Sequence, residues 1–243
     1  MSAAGDPRLF APGPARDARF TVKEVWEEMT NLPPGHPEAT AEFLHRQMNE
    51  EVNGLEISAR NLADFPDAPW ELRLAMARQC WDEARHFKAF RRCFESRGGR
   101  LGQYPVLNFQ YRIVVRIASL AGRLAVQNRS FEASGIDAIQ NEIASRAEKE
   151  PDMAELFDGQ LADEVQHVRY ANVWVKRLVE AGGPRTVLEM ARAVSQASEA
   201  FAIVAGAAAV SYPVAEDVRR EAGFAEAEIQ AARALVEAPP RSS

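Results

Sequence analysis

The chain has 243 residues, 47% of them hydrophobic and 26% charged, a globular composition that excludes disorder, collagen and coiled-coil rods. Its net charge of −6 argues against bulk nucleic-acid binding. The longest nearly unbroken apolar run, Phe201 to Val210, is about half of what a membrane-spanning helix needs, and no signal layout opens the chain. The sequence therefore reads as soluble and cytoplasmic, with no membrane partner. Its only cysteines, Cys80 and Cys93, are 13 residues apart, which on one helix is about 20 Å and beyond disulfide reach.

In chain order, residues 1–35 carry Pro7, Pro12 and Pro14 among small residues, which predicts an extended arm laid over a body, with one short helix over Val22 to Met29. A long helix is predicted from about Glu38 to Asp64 and a second from Glu71 to Ser96, separated by Phe65 to Pro69 and closed by Gly98-Gly99. Pro105 starts a third, kinked near Gly122 and running to about Lys149. A fourth runs from the Glu150 to Asp152 break to about Glu180, before Gly182-Gly183. Two more follow, Arg185 to Val210 and Glu216 to Glu237, and then a loose tail over 239–243. No stretch alternates with strand period, so the expected fold class is all-α: a four-helix bundle over 36–182 with a C-terminal helical extension over 183–238.

Laid over itself with an offset of 81 residues, the chain repeats. Glu51 to Glu56 falls on Glu132 to Asp137, and Asp82 to Lys88 falls on Asp163 to Arg169. Each half thus holds a lone glutamate on one helix and a Glu-x-x-His on the next. Residues three apart share a helix face, so Glu83 with His86, and Glu164 with His167, present an oxygen and a nitrogen ligand side by side. The midpoint between Glu51 and the Glu83/His86 pair lies within Phe65 to Pro69, and that between Glu132 and the Glu164/His167 pair beside Glu150, so all six side chains meet at one level of the bundle. Unpaired, four buried carboxylates and two imidazoles would be strongly destabilising, and two divalent cations remove that penalty. Glu51, Glu83, His86, Glu132, Glu164 and His167 are the expected metal ligands. Asp163 is expected to accept from His86 and Asp82 from His167 across the bundle, the alternative being that both are surface acids.

These residues resemble the ferritin-like superfamily, whose di-metal members carry the order Glu, Glu-x-x-His, Glu, Glu-x-x-His. More narrowly, Asp82 to Phe87, Phe131 to Asp137 and Asp163 to Val168 are similar to a bacterial ferritin-like family of unknown function, over roughly Pro7 to Leu178. The resemblance implies a fold and a pair of iron or manganese ions, but no substrate. Three residues past the lone glutamates, where rubrerythrin-like peroxidases add a carboxylate on one helix, stand Gly54 and Gly135, which argues against a peroxidase. Either glycine opens a pocket or serves close helix packing. Tyr170, three past His167, is a candidate redox side chain, or packing.

From Ala84 to Phe131 ten Lys or Arg face the single acid Glu95. On a continuous helix Arg112, Arg116 and Arg123 point away from Glu132, towards solvent or an acidic surface of another subunit, whereas Arg129 turns towards a pocket rim. The leading functional reading is a di-iron oxygenase or oxidase that activates dioxygen to oxidise a small organic substrate, with an electron donor as partner and a homodimer as one use of the small-residue segment Phe201 to Val210. The competing readings are ferroxidation, iron storage or peroxide removal, and a non-enzymatic helical binding module.

Overall fold

The structure, a computed structural model, describes residues 5–33, 35–206 and 212–237. The end of the apolar segment, 207–210, and the expected tail over 239–243 lie outside the described residues. The architecture is an all-α helical bundle. Helices α1 (Ala39–Asp64) and α2 (Trp70–Ser96) form one hairpin about the Phe65 to Pro69 break. The second hairpin pairs a composite helix with α6 (Pro151–Ala205), which starts with proline at its first position, where a missing N–H costs nothing.

The composite helix departs from the expected single helix starting at Pro105. Val106–Leu107 forms strand β2, pairing in parallel with Val22–Lys23 (β1). Then come α3 (Phe109–Val114), a break, α4 (Leu120–Val126), a π-helical turn over Gln127–Glu132, and α5 (Ala133–Arg146). At the break Ser119 caps α4 by accepting from the Gly122 N–H. Buried Arg123 donates to the freed carbonyls of Ile117 (2.8 Å) and Val115 (3.1 Å), supplying partners that helix hydrogen bonds would otherwise provide. In the π-turn one extra residue is accommodated, and the Ser130 hydroxyl donates to the Ala125 carbonyl five residues back. The segment Val22 to Met29, expected as one helix, is divided between β1 and a 3₁₀ turn over Trp26–Glu28.

These breaks also reassign the arginines. Arg112 donates to Ala11 O (3.0 Å) and pairs with Glu24, Arg116 donates to Pro7 O (2.7 Å), and Arg123 pairs with Asp64 (2.8 Å). They fasten the N-terminal arm and the α3–α4 turn, in place of the expected solvent-facing or intersubunit role. Arg129 reaches Asn172 (2.6 Å) and Glu228 instead of a pocket rim. The arm itself buries Leu9 and Phe10 against α3.

Gly183 breaks α6 with φ 63° and ψ −153°, a conformation open essentially to glycine alone. Beyond it the helix doubles back, with Ala193, Ala197, Ala200 and Val204 at three- and four-residue spacing packed on Ile57, Ile113 and Val126. The expected last helix divides at Gly223 (φ 90°) into α7 (Glu216–Glu221) and α8 (Glu226–Glu237). Buried Arg219 ties α7 to Asp137 of α5 at 2.6 Å.

Two apolar layers fill the bundle. One contains Leu44, Met48, Phe90, Met153 and Phe157, the other Leu72, Met76, Leu124, Ala171 and Trp174. On each long helix the polar cluster lies between them. Among the described residues no helix is long and apolar enough to cross a membrane.

Candidate metal centre

Every expected ligand reaches the gap between the apolar layers. Glu51 comes from α1, Glu83 and His86 from α2, Glu132 from the end of the π-turn, and Glu164 and His167 from α6; all six are buried. Their donor atoms form two overlapping groups, each gathered within 4.8 Å: Glu51, Glu83, His86 and Glu164 in one, and Glu83, Glu132 and His167 in the other. His86 Nδ1 lies 3.2 Å from Glu51, 3.3 Å from Glu83 and 3.5 Å from Glu164. His167 Nδ1 lies 3.6 Å from Glu83 and 3.5 Å from Glu164.

The outward nitrogens are held across the bundle. His86 Nε2 is 3.2 Å from Asp163 and His167 Nε2 is 3.3 Å from Asp82. An Nε2–H donated to aspartate leaves the Nδ1 lone pair facing the carboxylates, the arrangement a metal-binding imidazole requires. Arg85 joins both aspartates, at 2.5 Å from Asp82 and 2.7 Å from Asp163. Burial would raise the Asp82 carboxyl, but its bonds from His167, Arg85 and Arg78 hold it well below the usual range.

Packing these groups together perturbs Glu83, His86, Glu132 and His167 strongly. Burial, and then Glu164, pushes Glu83 up to about 8, and burial pushes Glu132 up to about 7. Burial alone would lower His86, but the carboxylates of Glu51 and Glu83 raise it to about 12, and Asp82 and Glu164 likewise raise His167. The buried Nδ1 of His167 has no hydrogen-bond partner although it faces two carboxylates. A buried ring nitrogen without a hydrogen-bond partner, four converging carboxylates and a second imidazole fit divalent cations as a donor set.

A further ring of side chains went unread in the sequence. Each glutamate of the cluster accepts from a carboxamide four residues before it: Gln47 to Glu51 (2.7 Å), Gln79 to Glu83 (3.0 Å), Asn128 to Glu132 (2.7 Å) and Gln160 to Glu164 (3.1 Å). Gln79 also donates to Glu132, and Gln160 to Glu51 (3.1 Å), so each joins a glutamate of its own hairpin to one of the other. The 81-residue offset that pairs the ligands also pairs Gln47 with Asn128 and Gln79 with Gln160, and that was the available signal. Tyr170 donates to Gln79 Oε1 at 2.6 Å, one residue removed from Glu83 and Glu132, and its burial raises its pKa.

The two glycines divide the roles expected of them. A Cβ at Gly54 would sit 2.8 Å from Glu83 Oε1, so α1 approaches a ligand there, whereas a Cβ at Gly135 would meet nothing within 4 Å. Gly135 borders a cavity of about 420 Å³ that reaches all four glutamate ligands and is walled by Phe109, Phe131 and Phe157, with Phe201 and Val204 from the returning half of α6.

A helical bundle with a buried carboxylate and histidine cluster between apolar layers defines the class: an all-α protein with a site able to hold metal. The chain belongs to the family described as "Protein of unknown function (DUF455)", which it matches over residues 3–230. That match spans the arm and the returning half of α6 as well as the bundle. No curated protein matches the chain.

Proposed function

We propose that the protein is a di-iron oxidoreductase of the ferritin-like kind, using dioxygen and an external electron donor to hydroxylate, desaturate or N-oxygenate a small organic substrate. The observation that carries this reading is the aromatic cavity, which opens directly onto Glu51, Glu83, Glu132 and Glu164 and is partly walled by residues outside the four-helix bundle. Its volume is in the range of small-molecule sites. Oxidation of iron alone needs no such chamber.

Glu51, Glu83, His86 and Glu164 would hold one ion, and Glu83, Glu132 and His167 the other. Two ferrous ions held there would supply two electrons for dioxygen reduction. The chain's own part is positional: Asp82 and Asp163 fix the imidazole tautomers, the carboxamides fix the carboxylate rotamers, and the apolar layers keep water from the cluster.

Oxygen uptake against stepwise ferrous addition tests the reading. Without substrate or reductant, consumption should level off near two irons per chain. Uptake rising linearly far beyond that point would make iron itself the substrate and overturn the proposal.

A further inference from the structure

The cavity carries one cation placed to receive a ligand. Arg46 lies on α1 and borders the cavity, its guanidinium stacked 4.9 Å from the Trp26 ring centre and 5.3 Å from that of Phe43. Nε lies 3.4 Å from Glu42 without hydrogen-bond geometry, and the terminal nitrogens make no hydrogen bond among the described residues. A planar guanidinium fixed by two rings with its outer N–H groups unused presents the fork that a carboxylate fills with two parallel hydrogen bonds.

The acids bordering the cavity are differently placed. Glu142 is paired with Arg146 at 2.5 Å, and Glu50 accepts from Gln110 at 2.9 Å. Each already has a hydrogen-bond donor, whereas Arg46 meets Glu42 and Glu50 only as nearby charges and keeps its outer N–H groups unused. The cavity lining that holds Arg46 also includes Phe131 and Phe157, with polar Gln47 and Glu50 beside it on α1.

We infer that the cavity takes a small carboxylic acid with a planar or aromatic body, its carboxylate on Arg46 and its far end at the metal ligands. This rests on the functional reading above and names the substrate class for it. Arg46 precedes Glu51 by five residues, about 7.5 Å of rise along α1 and about 140° around it, so a body of at least one ring and two or three carbons is needed to span the interval.

The test uses three probes of matched shape, 3-phenylpropionate, 3-phenylpropan-1-ol and 3-phenylpropylamine, titrated calorimetrically into the full chain loaded with redox-inert zinc and into chelator-treated protein. The propionate should bind best in both forms, by on the order of 10-fold over the alcohol. Arg46→Gln should remove that preference and leave alcohol binding unchanged, which a misfolded variant would not do. Failure of the propionate to bind, equal binding of acid and alcohol, tightest binding by the amine, or an unaltered preference in Arg46→Gln would each overturn the inference. Oxygen uptake is read separately. Sustained turnover on iron alone, with the acid preference intact, would remove the oxygenase reading and leave the anion site standing.

Discussion

His86 and His167 each turn Nδ1 inwards and Nε2 to an aspartate of the opposite hairpin, so one pair of hydrogen bonds decides both ring tautomer and ring direction. Asp82→Asn and Asp163→Asn should therefore keep the helical fold but weaken metal retention by about 10- to 100-fold, read by competition with a chromophoric chelator. Unaltered retention in both would mean that Arg85 and the packing alone hold the rings. The same residues set a pH dependence. The surrounding carboxylates raise the folded-state pKa of His86 to about 12 and that of His167 well above its ordinary value, so the free site favours protonated imidazoles and a metal would have to compete with those protons. Metal affinity should accordingly rise with pH through neutrality and fall in acid. Calorimetric titrations in buffers of different ionisation enthalpy should show at least about two protons released as both sites fill. Release of fewer than one would contradict this charge state.

At the scale of elements, Gly54 and Gly135 are paired by the repeat and unlike in surroundings. Gly54→Ala places a methyl 2.8 Å from Glu83 Oε1 and should lower metal affinity by displacing that ligand. Gly135→Ala meets no atom within 4 Å, and removing a helical glycine stabilises by about 0.4–1 kcal/mol, a rise of roughly 1–4 °C in the melting midpoint. If thermal melts and metal titrations show both variants behaving alike, the asymmetry of the two packings is wrong. The sequence announces its helices unevenly, for a physical reason. Helices α1 and α2 end at local signals, Phe65 to Pro69 and Gly98, that any reader of propensity sees. The breaks between Pro105 and Ala133 depend on distant partners: β1 drawing Val106–Leu107 into a strand pair, and the Arg123 side chain satisfying the carbonyls of Val115 and Ile117. Arg112 and Arg116 do turn away from Glu132, but onto the N-terminal arm, a partner that a continuous helix gives no sign of, and Arg129 meets Asn172 and Glu228 in place of a pocket rim. The doubling back at Gly183 was marked by a glycine pair, but the wall it builds beside Glu132 depends on where the helix packs.

Across the whole molecule the repeat makes two half-clusters, and the convergence of these six side chains was legible because that offset fixes residue type, spacing and turn midpoint together. The departures from it were not, since they are contributed by one half only. Tyr170 falls on Ala89, Arg78 on Gly159 and Arg85 on Gln166, so the tyrosine and the arginines that tie the aspartates have no counterparts. The donors gathered within 4.8 Å are unequal as well: Glu51, Glu83 and Glu164 with His86 in one group, Glu83 and Glu132 with His167 in the other, Glu164 reaching the second only through its other oxygen, 3.5 Å from His167. Affinity for a divalent cation grows with the number of anionic ligands, so the His86 site should fill first and the His167 site second. Titration of metal-free protein with manganese, followed by the loss of the free-ion paramagnetic resonance signal, should give two resolved steps. His167→Ala should abolish the weaker step alone, His86→Ala the tighter, and Glu83→Ala both. A single step in the wild type, or loss of both steps in His167→Ala, would show that the two halves bind as one symmetric unit despite their unequal donors.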